Sequence, residues 1–298
     1  MKVVHVYYRN ISAKVDDLSL ILGYFDGVHL GHQHLIKEAR KYAKYPLAIL
    51  TFDKSVSSLI KTGKTVENLT SLDDRFKIIS KLGVDYYYLF HIDKEFLSLS
   101  DLDFIELLKK LNVREVFVGE DFRFGKNRVG TPNLLKDFFD VTVVDLKKEN
   151  GEKISSQEIK NFLVVGKLEE ANKLLGQNYS MVGTPISGKG IGRKIGFPTI
   201  NVKLSTNYVL PRYGVYKTIA YLDGIPHLSI TNVGVNPTVD AGNIPSIEVH
   251  IKDYNEKEIS SICIEYLKFI RPEIKFSSLE ELKEQISKDV KEVFKDEQ

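Results

Sequence analysis

Over the first 176 residues, short apolar runs alternate with longer amphipathic stretches. Leu18–Leu22, Leu47–Phe52, Tyr86–Phe90, Val116–Val118 and Val141–Val144 are β-branched, aromatic or leucine-rich and read as strands. Gln33–Lys44 places Leu35, Ile36 and Ala39 on one side, and Leu72–Leu82 carries Phe76, Ile78, Ile79 and Leu82 at helical spacing. Leu102–Leu111 and Asn133–Phe139 predict further helices, and Ser155–Val165 and Leu168–Leu175 predict two closing ones. Alternation of this kind implies a parallel sheet with crossover helices.

After Gly176 the period shortens. Gly, Pro and Asn punctuate the runs Val215–Tyr221, Leu228–Val233, Ile247–Ile251 and Ile259–Tyr266, which predicts a small sandwich or barrel. A last amphipathic helix over Leu279–Phe294 aligns Leu282, Ile286, Val290 and Val293. The change of character puts a domain boundary near residues 176–182, giving halves of 1–178 and 179–298.

Composition narrows the class. Of 298 residues 43% are apolar and 28% charged, enough to build two cores, and 42 basic residues against 40 acidic ones leave a net charge of +2. That balance gives no electrostatic case for a nucleic-acid partner. No run approaches the about 20 apolar residues a membrane span needs. The single Cys263 excludes a disulfide scaffold, and together these features predict a soluble cytoplasmic protein.

The first chemical signal is Gly23-Tyr24-Phe25-Asp26-Gly27-Val28-His29-Leu30-Gly31-His32, after the strand at 18–22 and at the start of a helix. Glycines let the backbone approach a ligand, and a helix N-terminus offers free N–H groups to an anion. Two histidines there suit hydrogen bonding to phosphate oxygens as charge moves onto a leaving pyrophosphate. The position, at the carboxyl end of a strand in an α/β sheet, is where such folds bind ligands. A metal site from His29, His32 and His34 is the competing reading; no thiolate accompanies them, and His34 falls inside the expected helix.

Gly23–Gln33 resembles the nucleotidyltransferase signature of the bacterial bifunctional riboflavin kinase/FAD synthetases. Leu82-Gly83-Val84-Asp85, Val118-Gly119-Glu120-Asp121-Phe122-Arg123-Phe124-Gly125 and Ala171-Asn172-Lys173-Leu174-Leu175-Gly176 resemble further segments of that family in the same order. The resemblance implies ATP contacts at Gly23, Phe25, Asp26, Gly27, Gly31, Ser155, Ser156 and Lys160, and flavin contacts at Asp121, Arg123 and Phe124. It also implies that His29 and His32 assist adenylyl transfer. Two segments depart from the family. Where it has Thr-Phe-x-Pro-His-Pro, this chain has Thr51-Phe52-Asp53-Lys54-Ser55-Val56, and Ile-Ser-Ser-Thr-x-Ile-Arg becomes Ile154-Ser155-Ser156-Gln157-Glu158-Ile159-Lys160. Lysine keeps the charge of arginine but loses its bidentate fork. The resemblance implies that the family's Thr hydroxyl and Arg meet the ATP phosphates, where this chain has Gln157 and Lys160; weakening of both contacts would slow turnover about a hundredfold.

In the second half, Gly183–Gly190 nearly matches a P-loop but has Gly190 where the Ser or Thr that holds Mg²⁺ belongs, and no helix pattern follows. The segment Gly188-Lys189-Gly190-Ile191-Gly192-Arg193-Lys194-Ile195-Gly196 holds four glycines and three cations, a composition suited to a phosphate flap. With the Phe197-Pro198-Thr199-Ile200-Asn201 that follows, it closely resembles the riboflavin kinase signature. The resemblance implies phosphate contacts at Gly188, Lys189, Gly190, Gly192, Arg193, Gly196 and Pro198. Thr199 and Asn201 would be oxygen ligands of Mg²⁺. Ile247-Glu248-Val249-His250-Ile251 alternates, so Glu248 and His250 share a face opposite the three apolar residues. A carboxylate on a rigid strand suits a general base, and the resemblance matches Glu248 to the family's catalytic Glu; a solvent-facing Glu on an edge strand is the structural alternative. Arg271, in Ile270-Arg271-Pro272-Glu273, matches the flavin-side loop.

The expected architecture is therefore an α/β Rossmann-like nucleotidyltransferase domain followed by a small β-barrel riboflavin kinase domain with a C-terminal helix. The implied activities are phosphorylation of riboflavin to FMN and adenylylation of FMN to FAD, with ATP as co-substrate and Mg²⁺ as cofactor. Two alternatives stay open at this point: a kinase whose first domain is degenerate at Lys54–Val56, Gln157 and Lys160, and a flavin-binding regulator without turnover. Partners are the small molecules riboflavin, FMN and ATP, with no nucleic acid and no membrane.

Overall fold

The computed structural model describes residues 1–11, 15–60, 66–149, 151–188, 191–238, 242–252, 254 and 258–295. By their internal contacts these form two compact units, 1–66 with 72–156, and 67–71 with 157–298.

The first unit begins with β1 (Lys2–Tyr7), β2 (Leu18–Leu22), α1 (Leu30–Tyr42), β3 (Leu47–Phe52), α2 (Val56–Ile60), α3 (Leu72–Ser80) and β4 (Tyr86–His91). It continues through α4 (Asp101–Lys110), β5 (Val113–Gly119), α5 (Pro132–Lys136), β6 (Asp140–Val144) and the two-residue strands β7 (Lys148–Glu149) and β8 (Glu152–Lys153). Six strands form a sheet in the order β1-β4-β3-β2-β5-β6, with every neighbouring pair parallel. β2 is buried along its whole length, and β3 buries Leu47 to Thr51, as expected of strands covered on both faces. Alternate residues feed two cores. Leu20, Leu22, Leu50, Phe90 and Val118 pack with Phe104, Ile105 and Leu108 of α4, whereas Ile21, Ile49, Tyr87 and Phe117 pack with Ile36 and Ala39 of α1 and Ile79 of α3. Helices thus lie on both faces. Because β3 and β5 flank β2 on opposite sides, the crossovers diverge at β2, and the loops leaving β2 and β5 frame a crevice at the carboxyl edge.

The sequence pattern gives no strand at Lys2–Tyr7. β1 forms there as an edge strand paired only with β4, and it buries only Val6 fully, so it lacks the continuous apolar run of its neighbours.

The second unit contains α6 (Ser156–Val165), most of which belongs to it, α7 (Leu168–Leu175), β9 (Ser180–Ile186), α8 (Ile191–Lys194), β10 (Ile200–Leu204), β11 (Gly214–Leu222), β12 (Ile225–Thr238), β13 (Gly242–Ile251), β14 (Ile262–Pro272) and α9 (Leu279–Val293). Its strands close an antiparallel barrel in the order β10-β13-β12-β11-β14-β9, which resolves the choice between sandwich and barrel. β9 and β10 complete the ring although neither is among the expected strands: Gly183 and Pro185 interrupt the first, whereas Ile200-Asn201-Val202-Lys203-Leu204 alternates as a strand should and is masked by the Gly- and Pro-rich segment that leads into it. The P-loop reading fails structurally as well, since residues 183–186 lie inside β9. Within the barrel, the buried Thr218 hydroxyl lies 2.8 Å from those of both Ser229 and Thr231.

The units divide at Ser156/Gln157, earlier than the composition change near 176–182, because α6 and α7 bond to barrel elements. Arg212 N–H donates to the Leu163 carbonyl, and the Asn172 amide donates to the Tyr266 carbonyl at 3.0 Å.

The last helix is fastened to the barrel twice. Val290, Val293 and Phe294 pack on Val215, Leu228, Ile230 and Ile270. The Arg271 guanidinium donates from Nε and one terminal nitrogen to Asp289, at 3.0, 3.1 and 2.7 Å, and Gln285 adds a bond at 2.9 Å. Asp289 is 4% exposed. Removing one partner of such a pair strands a charge out of water. Asp289→Ala is therefore expected to destabilise the second unit by about 3 kcal/mol, read as a lower denaturant midpoint. A midpoint unchanged from the parent would show that the helix docks on apolar contacts alone.

Two candidate active sites

In the first unit the chain leaves β2 through a tightly wound turn. Phe25, Gly27 and Val28 have φ of 58°, 80° and 42°, so two bulky residues occupy the left-handed region. A β-branched residue there is strained by about 1–3 kcal/mol, a cost that persists only where surrounding contacts impose it. The contacts are visible. Ser156 Oγ donates to the Asp26 carbonyl at 2.9 Å, Gln33 Nε2 donates to the Val28 carbonyl at 2.9 Å, and Thr51 Oγ1 donates to the Tyr24 carbonyl at 2.8 Å. Phe25 folds back over Gly23 so closely that a Cβ on Gly23 would sit 2.7 Å from the ring, which leaves space only for glycine.

This turn delivers two histidines together. His29 is the N-cap residue of α1, His32 lies in its first turn, and their rings stack at 3.7 Å with the Phe25 ring edge-on to His32 at 5.1 Å. Nδ1 of each is buried without a hydrogen-bond partner. A buried nitrogen left unpaired costs about 1–3 kcal/mol, so strain and desolvation accumulate at one spot. Burial, with help from the nearby Lys153 charge, lowers the His29 pKa from 6.5 to about 4, against an opposing pull from Asp121. Burial also drives His32 well below the usual imidazole range, assisted by His29, Arg75 and Lys153. Both rings are therefore neutral donors and acceptors at neutral pH. Among the described residues no group of three or more His, Cys, Asp or Glu is arranged to hold a metal ion.

Other residues singled out in this unit are placed less directly. Asp121 pairs with Lys153. Arg123 turns back to the carbonyls of Glu120 and Phe122, at 3.2 and 2.7 Å. Phe124 is 6% exposed and packs against Phe104 and Phe122, so its ring belongs to the core. Gly31 lies beside the His29 ring, and Ser155 immediately precedes the Ser156 latch. Gln157 donates to Asn161 on its own helix at 3.0 Å, and Lys160 donates to the Glu67 carbonyl at 2.7 Å. Arg75 and Lys153 were not singled out by sequence. For Arg75 a signal existed: it falls on the Leu72–Ile79 stripe of α3, an odd place for a charge.

In the barrel, β13 is bordered on both sides, by β10 and β12, so Glu248 does not stand on an edge strand. Register places Asn201 of β10 and Asn232 of β12 directly opposite it, all on the face away from buried Ile247, Val249 and Ile251. Ser246 Oγ donates to Glu248 Oε1 at 3.2 Å. His250, on the same face, bonds the Pro198 carbonyl through Nδ1 at 2.8 Å and meets the Phe197 ring at 5.6 Å, pinning the Phe197–Pro198 step. A Cβ on Gly188 would stand 2.0 Å from the Asn201 amide, and one on Gly192 would stand 2.3 Å from the Phe197 carbonyl. The backbone at Gly188 thus closes on Asn201, and that at Gly192 on the Phe197 carbonyl and the Thr199 hydroxyl, because side chains are missing there. Arg193 and Thr199 line a cavity of about 820 Å³ with Ile186, Pro198, Ile251 and Tyr254 among its walls; Glu248 and Asn201 are not part of that lining. Gly196 adopts φ 89° at the end of the flap. Lys189 and Gly190 lie outside the described residues. Arg271 commits its fork to Asp289.

The depressed His29 pKa has a sign that can be tested. Between pH 6.5 and about 4 the unfolded chain binds a proton that the folded site refuses, so this contribution to stability is complete above 6.5 and falls as the solution is acidified. Unfolding of the first unit is expected to be easier by up to about 3 kcal/mol near pH 4. Urea titrations at pH 7 and pH 4.5, compared with His29→Gln, read the difference; equal pH dependence in both proteins would overturn it.

The comparisons with known proteins agree with this geometry. The FAD synthetase family matches residues 12–158 and the riboflavin kinase family matches residues 175–295. A bifunctional riboflavin kinase/FMN adenylyltransferase of Listeria monocytogenes is 37% identical over 301 residues, covering 97% of this chain and 96% of that one. The Bacillus subtilis protein of the same description is 38% identical over 309 residues, covering 99% and 98%. A solved structure described as a macrolide-efflux protein from Streptococcus pneumoniae is 29% identical with a TM-score of 0.88, covering 97% of this chain and 98% of that chain. Among the described residues of the present protein no helix is long and apolar enough to cross a membrane. Similarity to curated relatives at this level, along nearly the whole chain, places the protein in the bifunctional riboflavin kinase/FMN adenylyltransferase family.

Proposed function

We propose that the protein makes FMN from riboflavin and ATP in residues 179–298 and FAD from FMN and a second ATP in residues 1–178, acting in the cytoplasm. The observation that carries the kinase half is the pairing of Glu248 with Asn201 across β13 and β10, beside the glycine-lined cradle at Gly188.

In the barrel, Glu248 accepts the proton of the ribityl 5′-hydroxyl as that oxygen attacks the γ-phosphorus of ATP, and ADP leaves. Its strand fixes the carboxylate, and Ser246 orients one of its oxygens. Arg193 and the flap N–H groups hold phosphate oxygens, while Asn232 stands on the far side of the acid. Thr199 and Asn201 carry the hard oxygen donors that Mg²⁺ prefers, beside two glycines: a Cβ at 188 would meet the Asn201 side-chain amide and one at 192 would stand 3.4 Å from the Thr199 hydroxyl, so the residues present fit the ion. That ion, when bound, would neutralise phosphate charge. In the first unit, an FMN phosphate oxygen attacks the α-phosphorus of ATP and pyrophosphate leaves. Neutral His29 and His32 donate hydrogen bonds to the phosphate oxygens on which charge develops, and the N-terminus of α1 supplies backbone N–H groups.

Purified protein incubated with riboflavin, ATP and Mg²⁺ is expected to give both FMN and FAD on chromatography. Glu248→Gln should lower the turnover of FMN formation by roughly 10²–10⁴; an unchanged rate removes Glu248 as the base. Supplied with FMN, His32→Ala should form no FAD while its conversion of riboflavin to FMN continues. An equal fall in both products would refute two independent sites.

A further inference from the structure

Beneath the histidine turn lies a buried cation that the scheme above does not use. Arg75 of α3 is 1% exposed. Its guanidinium carbon stands 4.4 Å from the Tyr24 ring, and one terminal nitrogen reaches the Thr51 hydroxyl at 3.2 Å and the Phe52 carbonyl at 3.4 Å. Both acceptors are neutral oxygens, and Arg75 Nε is buried with no hydrogen-bond partner. Thr51 passes the contact on, donating to the Tyr24 carbonyl at 2.8 Å. One guanidinium therefore fixes Tyr24 twice, by stacking on its ring and, through Thr51, by holding its carbonyl. Tyr24 is the residue immediately before the left-handed turn at Phe25. A planar head that stacks and donates at once is available to arginine and not to lysine. A charge kept this far from water is costly, and here the ring contact and the two oxygen acceptors are what offset that cost.

We propose that Arg75 is a positioning residue for adenylyl transfer, clamping Tyr24 and Thr51 so that the strained turn aims His29 and His32 at the triphosphate. The inference rests on the reading that these histidines act on the phosphates. His32 is surrounded by the stacked His29 ring, the edge of Phe25 and two cations from different elements, Arg75 on α3 and Lys153 on β8. The clamp and the electrostatic setting of His32 thus come from the same side chain.

The test uses the full-length protein, measuring FAD formation from FMN, ATP and Mg²⁺ with FMN formation from riboflavin as the internal control. Arg75→Met is expected to lower kcat for FAD formation about 10²-fold and Thr51→Val about tenfold, with FMN formation unchanged in both. Loss of the cation also raises the His32 pKa, so the acidic limb of kcat/KM for FAD formation moves to higher pH in Arg75→Met. Arg75→Lys keeps the charge and returns the limb towards its original position, while kcat stays low because the stack and fork are gone. Thermal unfolding identifies any variant that fails to fold; Thr51→Val, which removes one hydroxyl, decides the matter if Arg75→Met does not fold. Wild-type kcat in Thr51→Val and Arg75→Lys, or a loss of activity with an unmoved acidic limb in a folded Arg75→Met, overturns the proposal. If His32→Ala itself keeps FAD formation, the histidine reading falls first, which is a separate outcome from a failure at Arg75 alone.

Discussion

Closure of the barrel through β10 is the constraint on which the kinase site depends. β10 has only five residues, yet it pairs with β9 along one side and with β13 along the other, setting Asn201 opposite Glu248. Side chains on a strand alternate between faces, so a slip of one residue in that pairing would turn Asn201 into the barrel and leave Glu248 facing an apolar neighbour. The glycines of the preceding flap then have a defined surface to close on. Register, rather than the flap itself, is what brings acid and cradle together.

The first unit solves a different problem. Its histidines must be neutral, close together and ready to donate, and the fold achieves this by taking them out of water on a turn that bulky residues would ordinarily avoid. Such a turn needs buttresses, and they come from three segments, one local and two distant in sequence: Gln33 on α1, Thr51 at the end of β3 and Ser156 at the start of α6. The family's helix-start Thr and Arg, here Gln157 and Lys160, make contacts of their own along α6 and to Glu67.

How much of this could be read from the sequence depends on the range of the interaction. β2 and β3 are legible because burial on both faces makes them continuous apolar runs, and α7 is legible to the residue because its stripe and its closing Gly176 are local signals. β1 escapes notice as a half-exposed edge and β9 because Gly183 and Pro185 interrupt a strand held by partners on both sides, whereas the alternation of β10 is present in the sequence but overshadowed by the glycine-rich segment before it. The facing of Glu248 follows from alternation alone, whereas its neighbours Asn201 and Asn232 follow only from register. Arg271 shows the opposite limit. Its motif points towards a ligand, but the carboxylate that takes its fork lies 18 residues away on a helix, where no local pattern announces it.

The hydroxyl trio inside the barrel has a consequence for how this fold can drift. Thr218 serves both Ser229 and Thr231, so replacing the central residue by valine would take a partner from each hydroxyl and leave Ser229 only its 3.2 Å bond to the backbone carbonyl at position 218, whereas converting all three together removes the need for partners altogether. Single steps away from the trio are therefore disfavoured even though a greasy replacement set would hold the strands at least as well. What the greasy set would lack is directionality: hydroxyls match only at one alignment of β11 on β12, while methyl groups are content with several.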